Sequence, residues 1–211
     1  MTPLPFYIVT LTHPDPEVGL LYGKRLGDDA LPELRLDLWP DRDPAEMVHL
    51  LQRRCLVTCR RVSEGGRWPD GDELGRLTHL KRAADARPAW LDLEWELKVP
   101  AWFEAHRTHT RLLRSVHVPE GTFDLEERLK ALPEGDAWKW VGTARRLADN
   151  ARLKAPLAWA HDHEIRLSAF LMGPKGMVSR VMQGAWSGAF TYACPDDGPA
   201  GAPGQLPLGT L

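Results

Sequence analysis

Cysteine is scarce in this sequence. There are 3 in 211 residues (Cys55, Cys59 and Cys194), an odd number with no CxxC pair. That excludes a disulfide framework and reads as reduced thiols in a cytoplasmic protein. Long apolar runs are missing too, and none approaches the roughly 20 residues of a membrane helix. Met1–Thr10 has neither the basic nor the long apolar segment of a secretory signal, so none is expected. Neither sign of charge dominates: Lys plus Arg number 27, Asp plus Glu 29, and the net charge is −2. The signs are mixed along the chain, so no basic face argues for nucleic acid and no polybasic run for a membrane surface. A Walker loop and a Rossmann glycine fingerprint are absent.

What is present is the composition of a globular protein, 43% hydrophobic and 27% charged, of a length that favours one domain. Short β-like runs cover Phe6–Thr10, Glu33–Leu38, Leu56–Arg60, Trp90–Trp95, Leu112–Val118, Ala137–Val141, Arg166–Met172 and Phe190–Ala193. They are rich in Val, Leu, Ile and aromatics and are bounded by Pro, Gly or Asp. Between them, Pro44–Arg54, Asp72–Arg82, Leu125–Leu132 and Ala144–Leu153 carry apolar residues at helical spacing. Asp124, with Glu127 three residues on, is a candidate cap for the third of these helices. Strands alternating with helices predict a mainly parallel sheet. Eight of them fit a (β/α)8 TIM barrel of about 200 residues, with a doubly wound open sheet as the alternative. Pro195–Gly204, rich in Gly and Pro, is expected to be a loop.

Unusual polar residues fall at the ends of these strands, where a barrel enzyme carries its chemistry. Glu33, Arg35 and Asp37 share one face of a strand, since side chains alternate; an edge strand with a solvated face would look the same. Arg60 ends an apolar run and is followed by Glu64-Gly65-Gly66. Asp92 and Glu94 share a strand face and could be ordinary charged ends. His117 ends Leu113-Arg114-Ser115-Val116. Lys139 lies between Trp138 and Trp140. Either the tryptophans face in and the lysine faces water, or the lysine is buried with its pKa lowered enough to attack a carbonyl. His161-Asp162-His163 could suggest a metal, but no further Cys or His completes a ligand set.

Taken in order, Glu33-Leu34-Arg35-Leu36-Asp37, Thr58-Cys59-Arg60 with Glu64-Gly65-Gly66, Leu91-Asp92-Leu93-Glu94, Ser115-Val116-His117, Trp138-Lys139, Met172-Gly173 with Gly176 and Ser179-Arg180, and Ala202-Pro203-Gly204-Gln205 resemble the type I 3-dehydroquinate dehydratase family over nearly the whole chain. The resemblance implies a (β/α)8 barrel that converts 3-dehydroquinate to 3-dehydroshikimate in aromatic amino-acid biosynthesis. It implies no metal and no organic cofactor, a small-molecule substrate, and a homodimer. Lys139 matches the Schiff-base lysine, His117 the catalytic histidine, and Glu64 the carboxylate that holds that histidine. Glu33, Arg35 and Arg60 match polar residues around the substrate hydroxyls, Arg180 the arginine on the substrate carboxylate, and Gln205 the glutamine of a closing loop over 195–205.

Such chemistry needs these residue types. A neutral lysine forms an imine with the substrate ketone, and the protonated imine is an electron sink for removal of the adjacent proton. A histidine of near-neutral pKa can take that proton and return one to the departing hydroxyl. The chain departs from the family at Gly201, where a serine is usual, at Trp140, where a small aliphatic residue is common, and in an N-terminal hairpin that must be very short. Two rivals remain. A class I aldolase barrel would not call for Ser179-Arg180 and Pro203-Gly204-Gln205 together, and a non-catalytic sugar-acid-binding barrel would form no imine.

Overall fold

The computed structural model describes residues 5–211. Its sheet is entirely parallel and contains β1 (Tyr7–Thr10), β2 (Ala30–Arg35), β3 (Leu56–Thr58), β4 (Trp90–Glu94), β5 (Arg111–His117), β6 (Ala137–Thr143), β7 (Leu167–Met172), β8 (Thr191–Cys194) and β9 (Leu206–Pro207). The strand order is β7-β6-β5-β4-β3-β2-β1-β8-β9. Each of the first seven strands pairs with its sequence neighbour, and β8 returns to pair with β1. That is the order of an eight-stranded barrel, as expected, and it excludes a doubly wound sheet.

The seam between β7 and β8 carries no ladder. At its lower end two hydrogen bonds bridge it, Ala189 N to Leu167 O at 2.8 Å and Ser168 Oγ to Phe190 O at 2.6 Å. At its upper end β9, unforeseen from sequence, pairs with β8, and Gly173 N donates to Pro203 O at 3.1 Å. The C-terminal segment is thus wedged into the mouth of the barrel, between the ends of β7 and β8.

Alternation along the strands builds the interior in layers. Ile8, Leu31, Leu56, Trp90, Leu113 and Phe190 are buried together and fill the base. One step up the same strand faces come Thr10, Glu33, Thr58, Asp92, Ser115 and Tyr192, all buried and all but the tyrosine polar or charged. The opposite faces, such as Val57, Leu91 and Leu93 on one side and Trp140, Ala169 and Leu171 on the other, pack under the helices. An N-terminal hairpin across the base would involve residues 1–4, outside those described.

The helices are short: α1 (Pro16–Arg25), α2 (Pro44–Leu50), α3 (Glu73–Asp85), α4 (Leu125–Leu129), α5 (Lys154–Asp162) and α6 (Met177–Val181). Asp15 and Asp43 cap the first two with proline at the first helical position, and Asp72 caps the third through Gly75 N. Such caps contribute about 1 kcal/mol each. Asp124 does not cap α4; its carboxylate is taken by Arg128 Nε and Trp140 Nε1. Between β4 and β5 a single 3-10 segment, Ala101–His106, replaces a helix. Buried Arg114 holds that crossover, donating to the carbonyls of Glu94, Trp95 and Leu97. The expected helix over 144–153 is 3-10 at Leu147–Leu153 before it becomes α5. No helix among the described residues is long and apolar enough to cross a membrane.

Candidate active site

A cavity of about 390 Å³ opens at the C-terminal ends of the strands, lined by Glu33, Arg35, Arg60, Glu64, His117, Lys139, Arg180 and Gln205 among others. The eight residues to which the resemblance gives roles therefore line one cavity.

Lys139 points inward and is 3% exposed, while Trp140 lies wholly buried under the helices. This decides between the two readings of the Trp-Lys-Trp triplet. Its Nζ donates to Asp92 Oδ2 at 3.3 Å and to Tyr192 Oη at 3.4 Å, and sits 4.6 Å from the centre of the Tyr192 ring. Burial pushes its pKa below the ordinary value; Asp92 opposes that shift and Arg60 adds to it. Asp92 is spread over several partners. Arg60 Nη2 reaches it at 2.5 Å and Ser115 Oγ donates to its other oxygen. Burial would raise the pKa of Asp92, but Arg60 and then Lys139 outweigh it and hold it down. The carboxylate's charge is thus largely engaged by arginine, which leaves the amine free to lose its own.

Glu33 accepts from Thr10 Oγ1 at 2.7 Å and from Thr58 Oγ1 at 2.9 Å. Arg35 is bound through two nitrogens to Asp37, at 2.8 and 2.6 Å. Asp37 also takes the backbone N–H of Arg60 and of Arg67, which turns the chain out of β2 at this point. Strand β2 accordingly ends at Arg35 rather than running on to Leu38.

The expected hydrogen bond between His117 and Glu64 is not formed. Glu64 accepts from Arg60 Nη1 at 3.0 Å and from Arg61 Nη2 at 3.1 Å, and two guanidiniums hold a carboxylate more strongly than a neutral imidazole can. His117 Nδ1 is buried with no partner among the described residues. Burial, with Arg60 and Lys139 adding, drives the His117 pKa well below its usual value, so the ring is neutral.

Arg180 is 2% exposed, forms no ion pair among the described residues, and stacks 4.3 Å from the Phe170 ring. Desolvation lowers its pKa to about 10. A buried cation without a counterion costs several kcal/mol unless an anion joins it, so this is a site built for one. Across the mouth, Gln205 is buried and donates to Thr10 Oγ1 at 3.1 Å and Ala193 O at 2.6 Å, while Gly201 N donates to its Oε1 at 2.7 Å. A Cβ at Gly201 would lie 2.9 Å from that Oε1 and 3.0 Å from Cγ2 of both Thr10 and Thr12. The space a serine side chain would enter is therefore already tight. Gln205 is seated, not loose; the exposed residues of the loop are Asp196, Asp197, Pro199, Ala200 and Pro203.

Asp92, Ser115, Thr58, Thr10 and Tyr192 complete the cluster without a role assigned to them from sequence. Asp92 carried a legible signal, a charged residue flanked by Leu91 and Leu93 on a buried strand. Thr58 and Ser115 stand within the ordered motifs, while Thr10 and Tyr192 carried no signal. His161-Asp162-His163 lies away from the cavity, with His163 stacked on Trp159, and no cluster that could hold a metal occurs among the described residues.

The architecture recurs in solved structures. One described as the dehydroquinate dehydratase and shikimate dehydrogenase of S. pombe is 24% identical with a TM-score of 0.80; the alignment covers 98% of this chain but 43% of that one. The 3-dehydroquinate dehydratase of Enterococcus faecalis is 21% identical, with TM-score 0.75 and 90% and 88% coverage. A type I enzyme of Clostridium difficile, described with covalently modified comenic acid, is 19% identical, with TM-score 0.76 and 98% and 89% coverage. At these identities they establish the fold. The family itself is established by a sequence model, type I 3-dehydroquinase, which matches residues 7–211, from the first strand of the barrel through the segment wedged in its mouth, so that the chain belongs to the type I 3-dehydroquinase family.

Proposed function

We propose that this chain dehydrates 3-dehydroquinate to 3-dehydroshikimate through an imine on Lys139, as a hydro-lyase of the shikimate pathway. The observation that carries the reading is one cavity holding both a buried amine of lowered pKa and an unpaired buried arginine. The first suits attack on a ketone and the second suits a carboxylate, and the substrate has both. Arg180 anchors the carboxylate. Glu33, Arg35 and Arg60 surround the ring hydroxyls. His117 takes the proton beside the imine and returns one to the leaving hydroxyl. Glu64 acts on His117 only after its contacts to Arg60 and Arg61 rearrange. The loop 195–205 covers the substrate, with Gln205 as its fixed end.

The deciding experiment is reduction with borohydride in the presence of 3-dehydroquinate, followed by peptide mass spectrometry. A single adduct on Lys139 is expected. An adduct on Lys98 or Lys130, or none, sinks the assignment. An aldolase would retain the carbon–carbon bond chemistry of its own substrates and would leave 3-dehydroquinate unchanged, and a non-catalytic binder would trap nothing. The free buried thiols of Cys55, Cys59 and Cys194 agree with a cytoplasmic location, and a homodimer follows from the resemblance; sedimentation velocity tests the latter.

The carboxylate clamp gives a graded prediction. Arg180→Ala removes the carboxylate's charge partner and should raise KM by about 10²-fold, the worth of a charge-assisted pair. Gln205→Ala removes neutral hydrogen bonds and should raise it about 10-fold. Steady-state kinetics on both variants make the comparison, and equal or reversed effects would place the anchor in the loop.

A further inference from the structure

We propose that Tyr192 is a further catalytic residue, whose phenol relays a proton from the Lys139 nitrogen to the substrate oxygen as the imine precursor forms. The inference rests on the Schiff-base reading above and deepens it. Tyr192 is 4% exposed, on β8, and lines the same cavity as Lys139. Its hydroxyl accepts from Nζ at 3.4 Å and, among the described residues, donates to none. The ring is held between Phe170 and Phe190, at centroid distances of 5.8 and 6.0 Å, so the hydroxyl is fixed and not free to swing away. A buried donor left unused beside the reacting nitrogen is costly unless something arrives to accept its proton.

The chemistry supplies that acceptor. When the Nζ lone pair forms the C–N bond, the carbonyl π pair moves to oxygen. The nitrogen then carries one proton too many and the oxygen one too few. Direct transfer between them runs through a strained four-membered ring. Through the phenol the ring has six members: Tyr192 gives its proton to the oxygen and takes one from the nitrogen, and ends as it began. No net charge rests on the phenol, which suits a group whose ionisation is disfavoured by burial and, next, by Glu33 and Asp92. Asp92 cannot do this task. It touches Nζ, but Arg60 holds it as the carboxylate, which has no proton to deliver to oxygen.

The test is Tyr192→Phe, which keeps the ring beneath Nζ and removes only the hydroxyl. With 3-dehydroquinate and a rapid borohydride quench, adduct formation should slow by about 10²-fold, the lower end of general acid–base effects. The isotope effect from deuterium at the departing C–H should fall towards unity, because imine formation has become limiting; a merely structural loss would not move it. Adduct formation within twofold of the unaltered chain overturns the proposal. Failure of the unaltered chain to form any adduct overturns instead the Schiff-base reading. If Tyr192→Phe loses its fold, a fluorinated tyrosine in place of Tyr192 preserves shape while changing phenol acidity, and an unchanged adduct rate there is equally fatal.

Discussion

Replacing Lys139 by alanine is expected to abolish covalent capture of 3-dehydroquinate and to lower turnover on the order of 10⁶-fold, the scale on which covalent enzymes lose activity with their nucleophile. Among the described residues no other lysine lines the cavity: Lys98 lies in the loop after β4, and Lys130 is exposed and paired with Glu127. The fold should survive. Asp92 loses one partner but keeps Arg60 and Ser115. The linkage has a definite sign. Lys139 binds its proton less well folded than unfolded, so the unfolded chain carries more protons, and stability is lost as pH falls from about 10.5 through the folded pKa. At pH 7 the lysine is therefore a burden on the fold, and Lys139→Ala or Lys139→Met should melt no lower than the unaltered chain. The same shift sets a kinetic expectation: adduct formation should rise with pH until the folded pKa is passed and then level. Thermal melts and quenched single turnovers check both. A variant that still forms an adduct would remove Lys139 from the mechanism.

The sequence showed the barrel in outline because parallel strands buried on both faces advertise themselves as apolar runs, and at both ends seven of the eight runs lie within two residues of the observed strands. The exception, β2, begins at Ala30 because Pro32, read as a boundary, sits inside the strand in register with Val9. Helix α1 was legible and overlooked: Asp15, Pro16, Glu17, and Lys24-Arg25 in the last turn are its caps and charges. The short crossovers were not legible, because what replaces the missing helix after β4 is one buried arginine reaching three carbonyls. Nor was β9, which has two residues and exists only because the β7–β8 seam stands open at the top. At the site, ordered motifs located the arginines and the lysine that line the cavity, Arg35, Arg60, Lys139 and Arg180, but not Arg61. They did not reveal how those cations choose among the carboxylates, since Glu64 falls to Arg60 and Arg61 through geometry that spacing cannot express.

Loss of His117 is expected to separate imine formation from dehydration. His117→Ala should slow turnover by about 10²–10⁴-fold, the worth of a general acid–base group, yet still yield a borohydride adduct on Lys139. The mass of that adduct is informative: without the base it should be that of the reduced substrate imine, retaining the water that the unaltered enzyme expels. The neutral ring matters here. Burial first, then the fields of Arg60 and Lys139, hold its pKa well below 6.5, so the base is available across the neutral range. Stability follows the same sign. Between 6.5 and the folded pKa the unfolded chain takes up a proton that the folded one refuses, so the protein weakens as pH falls through that window. Removing His117 removes that penalty, and acid unfolding of His117→Ala should shift to lower pH even as activity collapses. Near-normal turnover in this variant, or an adduct already dehydrated, would show that another group moves the proton, and Glu64, released from its two arginines, would be the first to examine.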